Sequence, residues 1–279
     1  MAPEQRIVVG LDGSPDSWQA LDWAAQEAEQ TGRALHVVRV DSTSGAPHGD
    51  MLYDVLGELA TRFPMAHAST RRLTRDPVSQ LVELSATADL VVIGRGRRGI
   101  PRLLHESVAN RVLTHARCPT AVIAAGSRET ANRIVVGVSD SDGGRAALHF
   151  AVAEAERRAA EVVAIHAWSV RDRWLAAEAA VPGSAIDLWE AEERTKLEDR
   201  VDPLRDAFPD VKISTVQSTV PLEGVLERES LDAVMLVLGS RRIDDARLPR
   251  LGPIAGWAVH HLSCPVVIVG HPARQPAAF

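Results

Sequence analysis

Lysine is almost missing from this chain. Of 31 basic residues only Lys196 and Lys212 are lysines, so arginine carries the positive charge, which we read as genomic codon bias rather than function. With no lysine in a glycine-rich loop there is no Walker A element, and a P-loop nucleoside triphosphatase is excluded. Cysteine is as scarce. Cys118 and Cys264 stand without His or Cys at ligand spacing, so no zinc site is expected. A net charge of −6 argues against a general nucleic-acid binder, which would present a basic face. No apolar run approaches the roughly 20 residues that span a bilayer. The opening Met1-Ala-Pro-Glu-Gln-Arg6 lacks the apolar region of a signal peptide. A cytoplasmic protein is expected, with neither nucleic acid nor membrane as partner and with no disulfide.

What is present suits two globular units. The 279 residues, 46% hydrophobic and 24% charged, fit two domains of about 100–150 residues each. Arg6-Ile-Val-Val-Gly-Leu-Asp12 reads as a strand ending in a turn, with Asp16 or Ser17 available to cap the next helix. Ala20, Leu21, Ala24, Ala25 and Ala28 then recur at helical spacing up to Gly32. A second strand over Ala34–Val40, a helix over Met51–Arg62, a third strand over Ala66–Thr74 and a helix from Pro77 follow. The apolar run Leu90–Ile93 is a central strand, leading through a glycine and arginine loop to a helix at about Leu103–His115 and a last strand over Pro119–Ala124. Short apolar strands alternating with amphipathic helices predict a parallel, doubly wound α/β sheet.

The pattern then starts again. Arg133-Ile-Val-Val-Gly137 repeats the first strand at an offset of 127, and Ala233-Val-Met-Leu-Val-Leu-Gly239 repeats the central one at 145. We divide the chain into a domain at 1–126, a linker at 127–132 and a second domain at 133–279. The growth in offset marks an insertion, placed at Arg171–Glu193, that extends a helix or forms a lid or contact surface. Cys118 and Cys264 fall in equivalent Cys-Pro steps, as packing positions.

The stretch Gly94-Arg-Gly-Arg-Arg-Gly99 has the order strand, glycine-rich loop, helix start, which suits a phosphate. It matches G-x-G-x-x-G, but after the fourth strand rather than the first, so it is not the dinucleotide fingerprint. His36, His105 and His115 have no partner that makes them bases, and Ser14 and Ser107 read as turn or cap residues. No catalytic set emerges.

Val9-Gly-Leu-Asp-Gly-Ser-Pro15, Ala88-Asp-Leu-Val-Val-Ile-Gly94, Ser107-Val108 and Cys118-Pro-Thr-Ala-Val-Ile123, in that order, resemble the universal stress protein family, and the doubling resembles its tandem form in actinobacteria. The resemblance implies two tandem doubly wound parallel five-stranded domains, Rossmann-like and akin to the adenine nucleotide alpha hydrolases. It implies pairing through the last strands, as a homodimer or an intramolecular pseudo-dimer, and binding of ATP. Gly10, Asp12 and Val40 would lie around adenine and ribose, and Gly94, Gly96, Ser107 and Val108 around the phosphates. The family's phosphate pattern is broken in both halves. In the first, Glu106 stands at the last glycine and the Gly94 to Gly96 spacing is one residue short. In the second, Ser139 replaces the aspartate, Arg242 a glycine, and Gly252 is followed by Pro253. Arg95, Arg97, Arg98 and Arg102 either replace lost donors with charge or form a solvated loop.

Three readings follow. The first is a stress-response binding module, not an enzyme, with ATP favoured in the first half. The second is a slow ATPase or adenylating enzyme, and the third a nucleotide-free scaffold for an unknown protein partner.

Overall fold

The structure, a computed structural model, describes residues 5–40, 51–73, 76–96, 108–126, 131–168, 184–240 and 251–270. The first half runs β1 (Arg6–Gly10), α1 (Pro15–Thr31), β2 (Ala34–Val40), α2 (Met51–Arg62), β3 (Ala68–Leu73), α3 (Pro77–Leu84), β4 (Leu90–Gly94), α4 (Val108–His115) and β5 (Thr120–Ile123). The second runs β6 (Arg133–Gly137), α5 (Asp142–Arg158), β7 (Glu161–Ala167), α6 (Ser184–Ala207), β8 (Ile213–Ser218), α7 (Leu222–Ser230), β9 (Met235–Gly239), α8 (Pro253–His261) and β10 (Val266–Val269).

All ten strands form one sheet in the order β3-β2-β1-β4-β5-β10-β9-β6-β7-β8. Each half keeps the same internal order and is parallel throughout. The halves join where β5 and β10 pair antiparallel, Val122 opposite Val266 and Thr120 opposite Ile268. The pairing expected of the last strands thus occurs within the chain, and two apolar edges that would otherwise be exposed cover each other. The inner strands are apolar on both faces, as strands roofed by helices must be.

Alternate residues of each strand feed two cores. Ile7, Val9, Ile134 and Val136 point to one face under α1, α2, α5 and α6. Val8, Val91, Val135 and Leu236 point to the other, under α3, α4, α7 and α8. Both cores draw residues from both halves, so burial itself holds the halves together.

The expected third strand starts at Ala68 rather than Ala66, after a bend, and Thr74 at its expected end lies outside the described residues. The insertion lies partly outside the described residues, and from Ser184 onward it lengthens α6, twice the length of its counterpart α2. Among the described residues no helix is long and apolar enough to cross a membrane.

Candidate functional site

In a doubly wound sheet the crevice lies at the carboxyl ends of the strands, where chain connections turn in opposite directions. In the first half that point is between β1 and β4, which pair with Val9 opposite Val92. Gly10 and Gly94 therefore end neighbouring strands. Gly94 admits no side chain, because a Cβ there would sit 2.7 Å from the Asp16 carbonyl carbon and the Ser17 nitrogen. The first turn of α1 rests directly on it. Gly96 differs. Its φ of +85° favours glycine, and among the described residues a Cβ would meet nothing within 4 Å.

Asp12 lies between these two strand ends and α1. Its Oδ1 accepts from the Ser14 N–H at 2.9 Å, and its own N–H faces the Ser17 hydroxyl at 3.4 Å. Burial works against its charge, but the hydrogen bonds from Ser14 and Ser17 prevail and hold its pKa below the ordinary value. The residue is exposed, and its carboxylate is held by the Ser14 and Ser17 turn.

Two expectations are corrected here. The cap of α1 is Ser14, whose hydroxyl accepts from the Ser17 N–H at 3.3 Å, rather than Asp16 or Ser17. Pro15, with its fixed φ, starts the helix one residue after Ser14. Asp16 instead reaches the Ala125 N–H at 2.7 Å and ties α1 to the end of β5. Arg95 is no spare phosphate ligand, since its Nη1 donates to the carbonyls of Leu262 at 3.0 Å and His260 at 3.5 Å. The other predicted residues divide. Val40 ends β2 opposite Leu73, beyond the point where Gly10 faces Val38. Val108 opens α4 and is 45% exposed. Ser107, with Arg97, Arg98, Arg102, His105 and Glu106, lies outside the described residues.

The second half repeats the frame with different chemistry. Ser139, in place of Asp12, has its hydroxyl 3.0 Å from that of Ser141, the cap of α5. The neighbouring Asp140 is paired with Arg200 of α6. Gly252 caps α8 without a side-chain hydrogen bond and Pro253 follows at its first position; Arg242 lies outside the described residues. Nearby, His166 on β7 has Nδ1 3.2 Å from the Val138 carbonyl and Nε2 3.1 Å from Glu193 of α6. Sequence reading missed the Arg200 and Glu193 contacts because both come from the helix that the insertion lengthened, whose register the repeat does not supply. Only the misplaced Asp140 hinted at them.

Comparison with known proteins agrees with this frame. A profile of the universal stress protein family matches residues 4–124 and again 130–270. Universal stress protein Rv2005c of Mycobacterium tuberculosis is 28% identical over 294 residues, covering 96% of this chain and 97% of that protein. Rv1996 of the same organism, also named a universal stress protein, is 28% identical, with 97% and 96% covered. Among solved structures, a universal stress protein from Archaeoglobus fulgidus is similar with a TM-score of 0.65 at 16% identity, over 97% of this chain and 100% of that one.

Proposed function

The chain belongs to the universal stress protein family, and from that premise we propose that it is a binding module of the stress response that takes one adenine nucleotide, ATP, in its first half. One observation carries this reading: exposed Asp12 and the left-handed glycine backbone at Gly96 lie at the ends of the adjacent strands β1 and β4. A carboxylate accepts from ribose hydroxyls, and glycine backbone lets phosphate oxygens approach main-chain N–H groups. The second half differs at two described places. Its aspartate is neutralised by Arg200, and Pro253 brings no N–H to the start of α8. We read a binding protein rather than an enzyme because the hydroxyls beside Asp12 are committed. The Ser14 hydroxyl caps α1, and that of Ser17 donates to the Ser14 carbonyl at 2.9 Å. Cytoplasmic residence and division into domains at 1–126 and 133–279 belong to the same proposal.

Calorimetric titration of the full chain with ATP tests it. One ATP per chain is expected, weakened roughly tenfold or more by Asp12→Ala, which removes a charged hydrogen-bond acceptor, and unchanged by Ser139→Ala. No binding by the parent, or equal loss in both variants, rejects the reading.

A further inference from the structure

Beyond the strand pairing, the halves meet at a buried ion cluster under α1 and α5. Arg33, just past α1, crosses to Glu154 of α5, Nη2 to Oε1 at 2.5 Å, and lies 3.6 Å from Glu27. Arg158, the last residue of α5, crosses back to Glu27 and donates to the Gln30 side-chain oxygen at 3.2 Å. Its guanidinium lies 5.8 Å from the centre of the Trp23 ring. Arg157 donates to Glu154 at 2.9 Å. Glu27 and Glu154 are equivalent positions of the repeat, and both are 1% exposed.

The charges do not balance. Among the described residues three guanidinium groups face two carboxylates, and the one at the rim, Arg157, is 35% exposed, so the cluster carries one positive charge more than its carboxylates balance and presents it at its solvent edge. The buried Arg33 and Arg158 each keep an Nε without a hydrogen bond among the described residues. Desolvation pushes the Arg158 pKa down to about 10. Beside the cluster lies an open cavity of about 480 Å3, lined by Gln26, Gln30, Asn132, Arg157, Arg158 and Val234. Since Gln30 receives Arg158 on its oxygen, its amide N–H groups remain to donate. Asn132 gives its own amide to the Ala159 carbonyl at 2.9 Å, which quiets the negative end of α5. Two acidic residues touch this edge through their backbones. Glu161 has its carboxylate on Lys212 at 2.8 Å, and Asp232 is exposed.

We propose that this cavity binds a small oxyanion, a carboxylate or phosphate group, with Arg157 and Arg158 as its charge partners and the Gln30 amide as a donor. It sits by the amino ends of β6 and β9, away from the glycine loop at the carboxyl ends of β1 and β4. Because both halves supply the lining, a bound anion stabilises only the joined form.

Thermal unfolding of the full chain in sodium phosphate, sodium citrate and sodium chloride at equal ionic strength tests this. Tm is expected to be higher in phosphate or citrate than in chloride. Gln30→Glu places a carboxylate next to Arg158, so it should raise Tm in chloride and remove the gain from either oxyanion. Arg157→Gln, a partly exposed position tolerant of change, should also remove that gain. Multivalent anions stabilise many proteins by exclusion from the surface, but such a gain persists in both variants. Equal Tm in the three salts, a gain that survives both substitutions, or a fall in Tm for Gln30→Glu in chloride overturns the proposal.

Discussion

Arg95 donates to the carbonyl of Leu262 at 3.0 Å, joining the loop after β4 in one half to the end of α8 in the other. A cation at a helix C-terminus satisfies carbonyls that have no partner within the helix. The same residue fixes the loop whose glycine backbone we assign to phosphate. Arg95→Ala should cost about 1–3 kcal/mol in urea unfolding, the range for a charged hydrogen bond that leaves acceptors unpaired. Arg95→Lys should recover part of that. A loss below a few tenths would mean that the contact is not formed in solution.

The glycines around the crevice predict a graded series. Gly94→Ala drives a methyl into the backbone of Asp16 and Ser17, where nothing flexible can yield, and should cost about 1–3 kcal/mol or more. Gly96→Ala meets no atom of the described residues but must hold a left-handed conformation, at about 1–2 kcal/mol. Gly10→Ala meets the Leu81 and Ile93 side chains at 3.4 and 3.5 Å, an ordinary contact, and should be the mildest. Denaturant midpoints of the three variants check the order.

Much of this was legible in the sequence because it is local and repeated. The β-branched runs from Ile7 and Ile134 and the helical spacing from Ala20 to Ala28 place strands and helix faces, and the family resemblance implied the last-strand pairing. Contacts between parts that the repeat does not relate stayed hidden. Arg33 pairs with Glu154 across 121 residues, and the equivalent of Arg33 in the second half is Ala160, so no internal comparison reveals it. Arg95 reads in its own loop as either a phosphate donor or a solvated cation, and only the antiparallel joining of β5 and β10 brings Leu262 within reach. Ser14 reads as a turn or cap residue and is the cap; it is Pro15, fixed at the first helical position, that decides for it over Asp16 and Ser17.

Burial pushes the Cys118 thiol up to about 12 and that of Cys264 up to about 11, so both stay protonated near neutral pH. Thiolate is the reacting form. Iodoacetamide at pH 7.5 should label neither cysteine in the native chain within the time that labels both in urea. Fast native labelling of Cys264 would mean that the second half opens locally around β10.

The pKa of Asp12 is lowered in the folded chain, chiefly by hydrogen bonds from Ser14 and Ser17 that outweigh partial burial. A depressed carboxylate contributes stability that is full above its unfolded value, 3.8, and is lost as pH falls through the folded value. The parent should therefore lose stability between about pH 5 and 3 more steeply than Asp12→Asn, which keeps an acceptor but has no charge to titrate. Urea midpoints across that range measure the difference, and parallel curves would remove Asp12 from the acid response.

Glu106 supplies the sharpest test of the nucleotide reading. In the family pattern that the resemblance implies it stands at the last glycine of the phosphate loop, and the residue itself lies outside those described. Two unit charges about 4–6 Å apart at an effective dielectric near 20 repel by roughly 3–4 kcal/mol, less where salt reaches them. A Cβ at a glycine position opposes the same approach. Glu106→Gly should strengthen ATP binding by roughly tenfold or more, and AMP binding far less, because AMP places little charge so far along the loop. If Glu106 instead holds down a loop arginine such as Arg102, its removal frees a cation, and both nucleotides gain modestly and alike. Titrating parent and variant with both ligands separates the two cases, and unchanged ATP affinity would mean that phosphate does not bind at this loop.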